Sequence, residues 1–152
     1  MRLKPARVIM NIYFAGSIRG GRAEQTRYRE IVEQLKQYGR VLTEHVGAAE
    51  LSARGEPATD REIHDRDLAW LRAADCLVAE VTTPSLGVGY EIGKATEWGK
   101  PVLCLFRAGS AHMLSAMIAG SSNVSVHAYE HTAELNEIFA AFFGRAQTSQ
   151  AE

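Results

Sequence analysis

The chain has 152 residues, 46% apolar and 23% charged, and its 17 Lys and Arg against 18 Asp and Glu give a formal net charge of −1. That length suits one domain with a single core, and the charge balance argues against a nucleic-acid surface, which carries a basic excess or stripe. No apolar run approaches the roughly 20 residues needed to cross a bilayer, so small molecules or proteins are the expected partners.

Residues 7–15 (RVIMNIYFA) read as a strand, and GSIRGG follows as a turn. Basic residues ahead of this apolar stretch superficially resemble a signal peptide, but Asn11 interrupts it. A cytoplasmic location, or a nuclear one in a eukaryote, is therefore expected. Residues 23–38 carry Ile31, Leu35 and Tyr38 at helical spacing, with Gly39 where a C-cap glycine belongs. RVLTEH reads as a short second strand, and residues 46–58 as a loop. Thr59 or Asp60 can cap a helix running to about Ala74. DCLVAEV is an apolar strand interrupted only by Glu80, and TTPSLGVG is the turn after it. A helix from about Val88 to Trp98, the strand PVLCLF, a helix over 112–119, the strand NVSVHAY and a helix over 132–143 complete the series. The domain is expected to span residues 1–144, with 145–152 a frayed polar tail.

Alternating strands and helices with near-continuous apolar strands predict a doubly wound (Rossmann-like) α/β domain. Its five parallel strands are expected in the order 2-1-3-4-5, with helices on both faces. Ligands bind such sheets beyond the carboxyl ends of the strands, where the order reverses, here between strands one and three. That rule selects GSIRGG and TTPSLGVG, the two most glycine-rich turns in the chain.

In the first turn, Gly16, Gly20 and Gly21 can form a nest of N–H donors and Arg19 can fork onto a phosphate; a glycine turn with a solvated arginine is the alternative. The second turn ends at a helix N-terminus, which favours an anion, and Ser85 adds a hydroxyl. Glu91, about one turn into that helix, either complements the dipole or acts on what the turn holds. Asp67 falls in the centre of the apolar stripe formed by Ile63, Trp70, Leu71 and Ala74. It either bonds backbone or, raised in pKa by desolvation, serves as a proton donor, with Glu91 kept ionised by the dipole as a nucleophile. Two carboxyl groups pushed apart in this way suit glycosidic bond cleavage. Tyr13 either orients a carboxylate in the crevice or is core with a wet hydroxyl.

The five histidines show no metal-ligand spacing, so no metal is expected. Cys76 and Cys104 each sit in an apolar run and read as buried hydrophobes in a reducing compartment. HMLSAMIA is apolar on nearly every side except Ser115, which suits either a subunit interface or the core.

With these residues in view, the chain resembles the 2′-deoxynucleoside 5′-phosphate N-hydrolases of the nucleoside 2-deoxyribosyltransferase superfamily. The resemblance runs from Tyr13 to about Gly120 and more loosely to the last helix. YFAGSIRGGR (13–22), YGRVLTEH (38–45), IHDRDLAWLRAAD (63–75), AEVTTPSLGVGYEIGKA (79–95), GKPVLCLFR (99–107) and LSAMI (114–118) carry it. It implies Glu91 as nucleophile on the anomeric carbon, Asp67 as the carboxyl group assisting protonation of the leaving base, and Tyr13 as the residue orienting Glu91. It further implies a phosphate pocket of Gly16, Ser17, Ile18, Arg19, Gly20, Ser85 and Gly87. Ser115 of the partner subunit would complete that pocket in a homodimer, with Met117 lining the base pocket. No cofactor is implied. The expected reaction is hydrolysis of a 2′-deoxynucleoside 5′-monophosphate to free base and 2-deoxyribose 5-phosphate. The alternatives are transfer of the deoxyribosyl group to a second base and nucleotide binding without turnover.

Overall fold

The computed structural model describes residues 9–18, 21–43 and 58–149. Its strands are β1 (Asn11–Gly16), β2 (Arg40–Val41), β3 (Cys76–Glu80), β4 (Val102–Arg107) and β5 (Ser125–Tyr129). All pair in parallel, in the expected order β2-β1-β3-β4-β5. The helices are α1 (Gly21–Leu35), α2 (Asp60–Ala73), α3 (Leu86–Glu97), α4 (Ala116–Ala119) and α5 (Leu135–Ser149).

Strand alternation divides the core into two layers. Ile12, Phe14, Val78 and Leu103 face α1 and α5, where Tyr28, Ile31, Leu35, Phe139 and Phe143 are fully buried. Tyr13, Ala15, Leu77, Ala79 and Cys104 face α2 and α3, packing on Leu71, Val88 and Ile92. Removing each of the larger side chains from water contributes roughly 1.5–3 kcal/mol. The same alternation turns Tyr13 toward the helices that carry both candidate carboxylates. Among the described residues, no helix is long and apolar enough to cross a membrane.

Several boundaries differ from the sequence expectation for local reasons. β2 stops after Val41 because the Thr43 hydroxyl takes both backbone bonds that a longer strand would offer Phe14. It accepts from the Phe14 N–H at 2.8 Å and donates to the Phe14 carbonyl at 2.6 Å. Glu44 and His45 of RVLTEH, and residues 46–57 of the loop expected over 46–58, lie outside the described residues. Gly39 is not a left-handed cap, since positive φ occurs only at Gly21, Gly99 and Gly109 among the described residues. It is glycine because a Cβ there would lie 2.2 Å from the Met10 carbonyl oxygen. Helix is absent over 112–115; Ser115 caps the four residues of α4, its hydroxyl oxygen accepting from the Met117 N–H at 3.3 Å. α5 runs to Ser149, past the Phe143 at which its apolar spacing ended.

Candidate active site

Three side chains from three elements meet beyond the β1/β3 crevice. Tyr13, third of the six residues of β1, is 2% exposed, and its hydroxyl donates a hydrogen bond to the Glu91 carboxyl group. Asp67 comes from α2, whose start is fixed by a capping box. The Thr59 hydroxyl accepts from the Glu62 N–H at 3.3 Å and the Glu62 carboxylate accepts from the Thr59 N–H at 2.8 Å. Counting from that cap, Asp60, Ile63, His64, Asp67 and Leu68 recur along one side of α2. They face Gly87, Tyr90 and Glu91 of α3 across a pocket of about 220 Å³.

The electrostatics reverse one expectation. Glu91 is not held ionised by the helix dipole: its pKa is pushed up to about 8, first by burial and then by the Asp67 charge, with the Tyr13 hydrogen bond pulling the other way. The reason is position. Ser85 caps α3, so the helix starts at Leu86 and Glu91 stands six residues past the cap, roughly 9 Å along the axis. The dipole's influence fades within the first turn. Tyr13 is also raised, by burial first and then by the Glu91 charge, and so stays a donor. Asp67, with 22% of its side chain exposed, is gripped by its neighbour Arg66, whose Nε and Nη2 reach one carboxylate oxygen at 3.0 and 2.7 Å. The Arg66 guanidinium in turn lies 4.7 Å over the Trp70 ring.

The two glycine-rich turns leave the sheet side by side, because Gly16 and Glu80 are register partners at the ends of β1 and β3. Gly16 is required by packing: a Cβ would meet the Tyr28 ring at 2.9 Å. Ser17 is buried and Ile18 is 42% exposed, whereas Arg19 and Gly20 lie outside the described residues. Gly21 opens α1 with a φ of +81°, a conformation suited to glycine. Ser85 accepts from the Val88 N–H at 3.3 Å and keeps its own O–H to donate. The N–H groups of Leu86 and Gly87 precede the first intrahelical bonds. At Gly87 a Cβ would meet only the Ser85 hydroxyl oxygen, at 3.8 Å, so packing does not require glycine there.

Ser115 and Met117 are placed elsewhere. With Ser85, Leu86, Val88 and Ile92 they line a groove of about 470 Å³, on the flank of α3 opposite Gly87 and Glu91. Leu86 and Met117 are 97% and 83% exposed there, and Met113, two residues before Ser115, is 89% exposed.

Sequence reasoning assigned no role to Arg66 or Tyr90 and weighed His64 only as a metal ligand. A signal for the last two was available, since His64 precedes Asp67 by three positions and Tyr90 follows Gly87 by three, so each shares a helix face with a singled-out residue. Glu80, visible as the break in an apolar strand, is fully buried. It accepts from the Thr82 N–H at 2.6 Å and the Tyr129 hydroxyl at 2.7 Å, which pins the start of the second turn.

Residues 12–140 match the family described as nucleoside 2-deoxyribosyltransferase. A 5-hydroxymethyl-dUMP N-hydrolase of Mus musculus is 62% identical over 117 residues, covering 76% of this chain and 68% of its own. The Homo sapiens protein of the same name is 60% identical over 116 residues, covering 75% and 67%. Among solved structures, a Clostridium botulinum CMP N-glycosidase superposes with a TM-score of 0.63 at 19% identity, over 87% of this chain and 98% of that one. That last likeness is one of fold.

Proposed function

Because the chain belongs to the nucleoside 2-deoxyribosyltransferase family, we propose that it hydrolyses the N-glycosidic bond of 2′-deoxynucleoside 5′-monophosphates, releasing the base and 2-deoxyribose 5-phosphate. The mouse and human relatives are named for this chemistry on one such nucleotide. The observation that carries the reading is that Asp67 and Glu91 share one pocket with Gly87 of the second turn, while the buried Tyr13 hydroxyl bonds Glu91.

The phosphate is held by Gly16, Ser17, Ile18, Arg19 and Gly20 of the first turn and by Ser85 and Gly87 of the second, which sets the sugar against α3. Glu91 attacks the anomeric carbon as the bond to the base breaks, giving a glycosyl ester through an oxocarbenium-like transition state. Tyr13 orients the attacking oxygen. At neutral pH the carboxyl pair holds a proton. That proton passes by way of Asp67 to the departing base, and Arg66 steadies the Asp67 charge left behind. Water then cleaves the ester, its oxygen joining the anomeric carbon and its proton returning to the pair. A 2′-hydroxyl would withdraw electrons from the developing cation, so deoxynucleotides react more easily.

Ser115 and Met117 act in the partner subunit's site. Their place on the far flank of α3, beside exposed Leu86 and Met113, supports a homodimer in which each chain completes the other's pocket. Cys76 and Cys104, both free and buried, support a reducing compartment.

Chromatography of a panel of deoxy- and ribonucleoside monophosphates incubated with the protein tests the reading. Free base is expected from deoxynucleotides, with Glu91→Gln lowering release by at least about a thousand-fold while the monophosphate still binds. Base release that survives this substitution would end the proposal. The family description favours deoxyribosyl transfer as a second reading, and a foreign free base added to the same assay detects it as an exchanged nucleotide.

A further inference from the structure

His64, about one turn before Asp67 on α2, and Tyr90, the residue before Glu91 on α3, meet across the pocket. The His64 Nε2 and the Tyr90 hydroxyl are 3.1 Å apart, with ring centroids at 5.8 Å. On its other side the His64 Nδ1 lies 2.9 Å from the Asp65 carboxylate. An ionised carboxylate only accepts, so Nδ1 carries the hydrogen, and the neutral tautomer consistent with that contact has a bare Nε2. The Tyr90 hydroxyl must then donate to His64. Its proton is committed, and its oxygen faces the pocket with acceptor capacity unspent. The ring is steadied from behind by the Lys94 ammonium, 5.9 Å from its centroid.

The rest of the pocket narrows what that oxygen can meet. Ile63 and Leu68 offer only hydrocarbon, Asp60 is exposed at the first residue of α2, and Asp67 and Glu91 are the groups at the bond to be broken. A volume of about 220 Å³ is below the roughly 300 Å³ at which pockets for whole drug-sized ligands begin. It is a space for one ring system rather than an entire nucleotide. With the phosphate on the turns and the sugar at Glu91, the group that enters is the base.

We propose that the His64–Tyr90 couple is a specificity determinant: it presents the Tyr90 oxygen as a fixed acceptor to a hydroxyl-bearing substituent on the edge of the nucleobase. This rests on the hydrolase reading and deepens it by naming the residues that select the substituent on the base. A hydroxymethyl group donates to the waiting oxygen. A methyl group fills the same space and leaves that oxygen without a donor, and a site that holds an acceptor for the substituent's hydroxyl discriminates against the analogue that lacks it. Asp65 acts at one remove, as a positioning residue that sets the His64 tautomer.

The test compares kcat/KM for 5-hydroxymethyl-dUMP and for thymidine monophosphate, which differ by one oxygen, in the wild type, Tyr90→Phe and His64→Ala. The wild type is expected to favour the hydroxymethyl substrate by about ten-fold, the range of a single hydrogen bond. Tyr90→Phe should bring the ratio close to one, chiefly by loss on the hydroxymethyl substrate. His64→Ala, which frees the Tyr90 proton, should lower the ratio part of the way. A purely structural role would depress both substrates together. Tyr90 is 48% exposed, so loss of its hydroxyl leaves the core intact. A wild type that treats the two nucleotides alike, or a ratio that survives Tyr90→Phe, overturns the inference while leaving the hydrolase reading standing. A wild type that releases base from neither substrate overturns the hydrolase reading and this inference with it.

Discussion

Glu91 shows how the surroundings of one side chain can invert an argument made from its neighbours in sequence. Its place after a glycine-rich turn suggested an ionised group, but burial and the Asp67 charge lift it to about 8. Two outcomes follow. If base departure needs the proton held by the pair, kcat/KM, which reports the free enzyme, should hold near neutrality and fall as pH rises through about 8. A profile that instead rises through that region would show that Asp67 carries no proton to the base. The second outcome concerns stability. Glu91 is protonated in the folded chain and ionised in the unfolded one between its ordinary value of 4.5 and about 8. The unfolded state therefore binds fewer protons across that window, and stability falls as pH rises. At about 1.4 kcal/mol per unit the loss reaches a few kcal/mol. Glu91→Gln should melt close to the wild type near about pH 5 and above it near about pH 9; thermal melts across that range check it, and parallel curves would refute it.

At the scale of single elements, the turns and caps were the legible part. Thr59 was readable as a cap, and the capping box at the start of α2 bears this out. Thr59→Ala should cost about 1 kcal/mol, with a lower denaturant midpoint at unchanged slope. Where the chain is crowded by a distant element, sequence gave no warning. From sequence Gly16 reads as a point of close approach to a ligand, yet its neighbour is the Tyr28 ring, buried on the opposite face of the sheet from Glu91. Gly16→Ala should destabilise by about 1–3 kcal/mol through overpacking and weaken monophosphate binding as the first turn shifts. Urea unfolding and equilibrium binding measure both, and an unchanged midpoint would refute the packing account. The same blindness explains Gly39, set by a carbonyl in another segment, and β2, cut short by a threonine hydroxyl.

For the whole molecule, the topological switch point selects the crevice, and the flanks of α3 divide the candidate residues into two groups. Gly87 and Glu91 face the pocket, whereas Ser115 and Met117 line the opposite flank. A homodimer that exchanges these residues predicts complementation. Ser115→Asp keeps the α4 cap but sets a negative charge against the phosphate, so alone it should be nearly inactive, as should Glu91→Gln. Mixed and allowed to exchange subunits, the two should regain about a quarter of wild-type activity, because half the dimers are hybrids and each hybrid keeps one intact site. No recovery in subunits shown to exchange would place Ser115 outside the partner's site.

Periodicity and punctuation were enough to order the strands and to nominate Tyr13, Asp67 and Glu91, because alternation, helical spacing and glycine-rich turns are local properties. What depends on atoms brought close from far along the chain was not contained in those patterns. The proton affinity of Glu91, the Arg66 fork on Asp67, the His64–Tyr90 couple and the flank on which Ser115 stands all arise when α2 and α3 pack against β1 and β3. Burial and Coulomb interactions act through distance in space, and that distance exists only once the chain has folded.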